Sequence, residues 1–211
     1  MFFSDKFKVS EQSLNDYGAL NIWMERDTPL YIDPILIYCN KKYEAWHKKI
    51  IKYFNFLYEK TQNPNITKDQ LKTFFNFHEI KNNWLGVSRN SNNGRGFGEK
   101  LTELLWNNLS FIFEKNDITK DFHIEKSLLL TDKSGKDLIS DLITNIIIDD
   151  LLEFTETFAK KYIDEEKCCI FKIRSKFDYQ IETWIDHEYF LPYITTNCEK
   201  KNGCYLHQLT F

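Results

Sequence analysis

The segment from Ser134 to Tyr162 constrains the fold more than any other part of the chain. Ile143, Ile147, Leu151, Phe154, Phe158 and Tyr162 recur at steps of three and four, which puts them on one face of a helix. Ser134 is a cap-forming residue, and Asp137 three positions on can reach back as in a capping box. A helix of this length and apolarity has to be covered by other elements, so the spacing predicts a central helix over 134–162 that serves as the spine of the core.

The remaining pattern is helical up to about Lys167 and extended after it. Tyr43, Trp46, Ile50, Tyr53, Phe54 and Leu57 form one apolar side of a helix over Lys41–Lys60, with Lys41, Lys42, Lys48, Lys49 and Lys52 expected to face water. Thr67 is placed to cap the next helix, whose apolar face is Leu71, Phe74, Phe75 and His78. Asp33 precedes Pro34, which suits the first position of a short helix through Tyr38. Residues 84–98 read as a loop and are followed by a helix through Leu101, Leu104, Leu105, Leu109, Ile112 and Phe113. Beyond Lys167 the period shortens toward two, with Cys169, Phe171 and Ile173, then Ile181 to Ile185, then Tyr189 to Ile194 as strands. Pro192 is expected on an edge strand, because it has no N–H to donate. The fold class expected is α+β: one mainly helical domain over residues 1–196 with a small β-sheet near the C-terminus. Residues 197–211 are left as an unassigned tail.

Composition narrows the function classes. The chain has 211 residues with 18 Phe, 11 Tyr and 5 Trp, which is ample for a sizeable core. A formal charge of −3 gives no global attraction to nucleic acid or anionic lipid, so any basic site must be local. No apolar run approaches a membrane span, and the N-terminus lacks the apolar core of a signal peptide. Five cysteines, two of them adjacent, do not form a disulfide framework and point to a reducing, cytoplasmic setting.

Three constellations could carry chemistry. Gly94, Gly96 and Gly98 precede a helix and lie near Arg89 and Arg95, so backbone N–H groups, a positive helix end and guanidinium forks could bind phosphate there. A plain connector accounts for the same residues. Asp141 and Asn145 are one turn apart on the central helix, and with Asp33 they could hold Mg²⁺ whose shell is completed by substrate phosphates and water. Capping by Asp33 and a hydrogen-bonded or solvated polar face for the other two is the competing account. Cys198, Cys204 and His207, with Cys168 or Cys169, have a loosely zinc-like spacing, but the gap between Cys198 and Cys204 is five residues where zinc knuckles show two to four.

Three segments in order also resemble a family of uncharacterised bacterial proteins: DTPLYIDP over residues 27–34, WLGVS from Trp84 with its glycine-rich tail to Gly98, and LISDLITN over residues 138–145 followed by Phe154-Thr155. The resemblance covers roughly residues 8–160. It implies a gene of sporadic occurrence, in the manner of mobile or phage-defence loci, and a longer chain of which residues 197–211 would be a shortened terminus; it supplies no catalytic residues. Two expectations follow. One is a metal- and phosphate-dependent activity on nucleic acid or a nucleotide within a defence or mobile-element system. The other is a non-catalytic helical module that binds another protein subunit. Neither involves a membrane.

Overall fold

The computed structural model describes residues 1–24, 32–76, 102, 106, 107, 136–195 and 201–203, with the backbone alone for 136–139 and 201–203. Among these residues are seven α-helices and a small antiparallel sheet near the C-terminus, an α+β arrangement. The helices are α1 (Phe3–Phe7), α2 (Glu11–Tyr17), α3 (Pro34–Cys39), α4 (Glu44–Thr61), α5 (Lys68–Phe74), α6 (Lys136–Ile146) and α7 (Ile148–Tyr162). The strands are β1 (Cys168–Asp178), β2 (Thr183–Thr195) and β3 (Lys201–Gly203), in that spatial order.

The segment expected as one long helix is two, α6 and α7, joined at Ile147, whose φ of −106° and ψ of 13° leave the helical region. The backbone ladder continues across the break, with Ile147 N bonding to Ile143 O at 3.1 Å and Leu151 N to Ile147 O at 3.2 Å. The chain therefore bends here without coming apart. Two causes are local. Thr144 Oγ1 and Asn145 Nδ2 donate back to the carbonyls of Ser140 and Asp141, at 2.6 and 2.8 Å, a habit that bends helices. The run Ile146-Ile147-Ile148 adds three stiff β-branched side chains in succession. The apolar stripe survives the bend, which is why its periodicity reads through.

That stripe touches three clusters. Leu142, Ile143, Ile146, Ile147 and Leu151 pack with α4, α5 and the sheet residues Phe177 and Trp184. Ile148 and Leu152 meet Tyr189 and Leu191. Phe158 and Ala159 pack under the N-terminal helices with Phe3, Phe7 and Leu14. The expected apolar face of α4 is buried throughout, as are Leu71, Phe74 and Phe75. Thr67 and Gln70 form a reciprocal capping box on α5, and Asp33 caps α3 by accepting from Ile35 N at 2.8 Å. Gly18 ends α2 in the left-handed region at φ 81°, a conformation that favours glycine. Ser134, His78 and the helix expected from Leu101 to Phe113 lie outside the described residues, apart from positions 102, 106 and 107.

β1 runs five residues past the alternation that marks it, through a bulge between Arg174 and Lys176, and the turn at 179–182 includes Ile181, which was expected in a strand. Pro192 belongs to the central strand, not an edge. It occupies the last rung with β1, opposite Cys168, and pairing with β3 begins one residue later at Tyr193. The missing N–H falls where β2 passes from one partner to the other, so no ladder bond is lost in mid-sheet. β3 comes from within residues 197–211, the segment whose sequence carries no clear pattern.

Candidate functional site

α4 crosses beside the α6–α7 joint and the end of the β1–β2 hairpin, and a cleft of about 530 Å³ opens between them. Four lysines line it: Lys48, Lys49 and Lys52 from α4 and Lys176 from β1. Its aromatic floor is Tyr53, Phe177 and Trp184, with Tyr179 at the hairpin turn. Tyr53 and Trp184 are anchored on one backbone oxygen, Phe74 O, to which Trp184 Nε1 donates at 3.1 Å and Tyr53 Oη also donates. Phe177 and Trp184 stand edge to face with ring centres 5.3 Å apart. This floor is rigid because each ring is fixed by another ring or by the shared carbonyl.

The charges in the cleft differ in how they are engaged. Lys49 reaches inward and donates to Asp149 Oδ1 at 2.7 Å and to Asp150 Oδ2, both on the first turn of α7. Asp149 is buried, and the positive end of the helix favours both acids. Two carboxylates face one ammonium. Burial pushes the Asp150 carboxyl up to about 6; Lys49 pulls it down and Asp149 adds to the rise. Burial alone would lower the Lys49 ammonium, but its two carboxylate partners outweigh that and hold it above its ordinary value. Behind them Ser175 Oγ and Tyr189 Oη are 2.7 Å apart, and burial pushes the Tyr189 phenol up to about 12.

Lys52 and Lys176 are placed differently. The Lys52 ammonium lies over the Tyr179 ring, 4.2 Å from its centre, and Lys176 is exposed. Among the described residues neither is in an ion pair with a carboxylate. Lys48 is paired with Glu44 at 2.6 Å on the exposed side of α4. Asp178, the other acid of the lining, accepts from Gln180 N at 2.8 Å and so shapes the turn. The cleft therefore places lysine ammonium groups beside the half-buried ring of Tyr179, over a floor of buried aromatic side chains.

The metal and phosphate residues expected from the sequence are placed as follows. Ile32 N bonds to Ser140 Oγ at 2.9 Å, so the corner holding Asp33 does meet the helix holding Asp141 and Asn145. Asp33 is occupied as the cap of α3, Asn145 donates to a backbone carbonyl of its own helix, and Asp141 is exposed. Among the described residues no group of three or more His, Cys, Asp or Glu side chains is arranged to hold a metal ion. Arg89, Gly94, Arg95, Gly96, Gly98, Cys198, Cys204 and His207 lie outside the described residues. Cys168 is buried and its thiol is pushed up to about 11.

Sequence reasoning missed Lys49, expected to face water with the other lysines of α4, and passed over Asp149 and Asp150. A signal existed: two adjacent acids within an otherwise apolar helical stripe need a cation, and no lysine or arginine lies within a turn of them in sequence. The cation had to come from another element.

Residues 8–202 match the family model described as a domain of unknown function, DUF8370. The chain belongs to that family. No curated protein and no solved structure matches it. The DUF8370 match spans α2 to β3, so the cleft and the Lys49 network both lie within the family's own boundaries. Among the described residues no helix is long and apolar enough to cross a membrane.

Proposed function

We propose that this chain binds a phosphate-bearing ligand, of the nucleotide or nucleic-acid class, in the cleft between α4 and the β1–β2 turn. The observation that supports this reading is the position of Lys52 and Lys176, two ammonium groups without carboxylate partners among the described residues, beside Tyr179 and the aromatic floor. On a chain of net charge −3, lysines that pair with no carboxylate among the described residues, gathered at a concave surface, concentrate anions locally. Lys49 has another role: its two carboxylates engage it, and it ties α4 to α7 beneath the cleft. Mg²⁺ enters this reading only as a companion of the ligand's phosphates; Asp33, Asp141 and Asn145 do not line this cleft and have no part in the reading. A phosphate-bearing ligand agrees with the mobile-element or phage-defence setting that the resemblance implies.

The test is calorimetric titration of the full chain with pyrophosphate, nucleotides and a short oligonucleotide at about 50 and 200 mM salt. Binding that weakens with salt, and weakens at least tenfold in Lys52→Glu/Lys176→Glu with an unchanged melting temperature, is the expected result. No heat from any of these ligands at the lower salt would sink the reading. A second reading, a module that binds another protein subunit, draws on Leu36 and Tyr38 of α3, which are 44% and 45% exposed. Leu36→Ser/Tyr38→Ser would then abolish an association that Lys52→Glu leaves intact.

A further inference from the structure

A phosphate-bearing ligand in this cleft could be one nucleotide or a strand of several. We infer that the cleft takes a single mononucleotide, its base laid on the face of Tyr179 and its phosphate held by Lys52 and Lys176, an inference that rests on the phosphate-binding reading. The aromatic faces that the described residues offer the cleft point to this. Proteins that track single strands present successive rings on which successive bases stack. Of the aromatic side chains lining this cleft, Tyr53 is 1% exposed and Phe177 and Trp184 are each 8% exposed, closed off by packing against one another. Among the described lining residues Tyr179 is the half-buried ring. It is also held still: Phe56 and Phe177 meet it edge to face, with ring centres at 5.7 and 5.1 Å.

The cleft volume, about 530 Å³, lies in the range of small-molecule sites and not of an extended groove. The place for the base is covered by the Lys52 ammonium, 4.2 Å above the ring. A base stacked on tyrosine is a larger contact than one exposed lysine over the same ring. Lys52 would leave the face when a base arrives, and its flexible stem would carry the charge to the phosphate. Lys48, one turn earlier on α4, is positioned to join it, while Asp149 and Asp178 on the lining disfavour a run of further phosphates. Among the described residues one stacking face has a few cations beside it, an arrangement that fits one nucleotide.

The test uses the full chain and four probes: the ribonucleoside 5′-monophosphates, the corresponding nucleosides, inorganic phosphate and a twelve-residue oligothymidylate. At least one monophosphate is expected to bind ten or more times tighter than its nucleoside or phosphate alone. Tyr179→Leu should reduce that affinity to the level of phosphate, and Tyr179→Phe should keep it within about twofold; the circular dichroism of both should match the parent chain. Equal affinity for phosphate and every monophosphate, or a Tyr179→Leu variant that binds as the parent does, would overturn the single-base site while the phosphate reading stands. Oligothymidylate that binds tighter than every monophosphate, with affinity rising with its length, would do the same. Failure of all four probes to bind would remove both.

Discussion

The two ends of α7 are built on opposite principles. At its C-terminal half Phe154, Phe158 and Tyr162 meet Tyr17 of α2, with ring centres 4.5, 5.1 and 6.3 Å from the tyrosine ring, and Tyr17 Oη donates to Phe154 O at 2.9 Å. Phe3 of α1 closes the same cluster against Phe158. The contact there is mostly ring on ring, and the Tyr17 hydroxyl is satisfied. At the N-terminal turn two carboxylates share a single lysine, one of the acids is buried, and a cleft opens beside them. The first end gains stability from every contact, whereas the second holds charge where burial costs free energy. The comparison therefore sets apolar packing at one end of α7 against a partly buried ion-pair network at the other, where Lys49 ties α4 to α7 beside the cleft.

The largest effect should come from the packed end. Phe158→Ala removes a fully buried ring that touches α1, α2 and its own helix, and should lower the unfolding free energy by about 3–5 kcal/mol. Denaturant titration measures it, and ligand affinity at the cleft should be unchanged wherever the variant is folded. A loss below about 1 kcal/mol would mean that the N-terminal helices do not lean on α7.

Next comes Lys49→Met, which leaves two carboxylates without their cation. Because Lys49 is partly exposed, the cost should be about 2–3 kcal/mol near pH 7.5, at the lower end of what breaking a buried pair produces. The deficit should shrink on acidification, since protonation of Asp150 removes one of the stranded charges. A deficit independent of pH would show that lost packing, not charge, is responsible.

Asp150→Asn should move the other way. In the folded chain the Asp150 carboxyl titrates at about 6, above its ordinary value of 3.8. A raised carboxyl favours the folded state while protonated, so its contribution is fully present below about pH 4 and is lost as pH rises through 6. The asparagine should match the parent chain near pH 4 and exceed it by about 1–2 kcal/mol at pH 8. It leaves Lys49 paired with Asp149 alone, one cation to one anion. Thermal melts across pH 4–8 give the answer, and an unchanged slope between the two chains would contradict the assignment.

The contrast also explains what could be read from the sequence. The packed end was legible because it repeats: Phe154, Phe158 and Tyr162 declare a face by spacing alone, as do Tyr43 through Leu57 on α4. Caps were legible because their chemistry is local, as at Asp33 and at Thr67 with Gln70. The bend at Ile147 was hidden because the apolar stripe passes through it without interruption. The site end depends on pairs 100 and 101 residues apart in sequence, Lys49 with Asp149 and with Asp150, and on a turn that lifts Tyr179 to the rim. A lysine on a helix surface carries no mark of whether its ammonium goes to water or to a buried acid. Lys49 and Lys48 are neighbours in sequence with opposite fates.

That pair of neighbours supplies the smallest and most discriminating effect. Glu44 is exposed, and its hydrogen bond from Lys48 holds the carboxyl below its ordinary range. A lowered carboxyl adds stability only above its unfolded value and loses it on acidification, but for a fully exposed pair solvent and side-chain entropy cancel most of the gain. Glu44→Gln should therefore leave the melting temperature unchanged at every pH, unlike either change at the buried network. It should still be felt in the cleft. Freed from Glu44, Lys48 is one more cation at the rim, and pyrophosphate should bind roughly twofold tighter at low salt, the gain fading as salt screens it. A shifted melting temperature with unchanged binding would reverse the assignment, making the outer lysine of α4 structural and leaving Lys52 and Lys176 alone to hold the ligand.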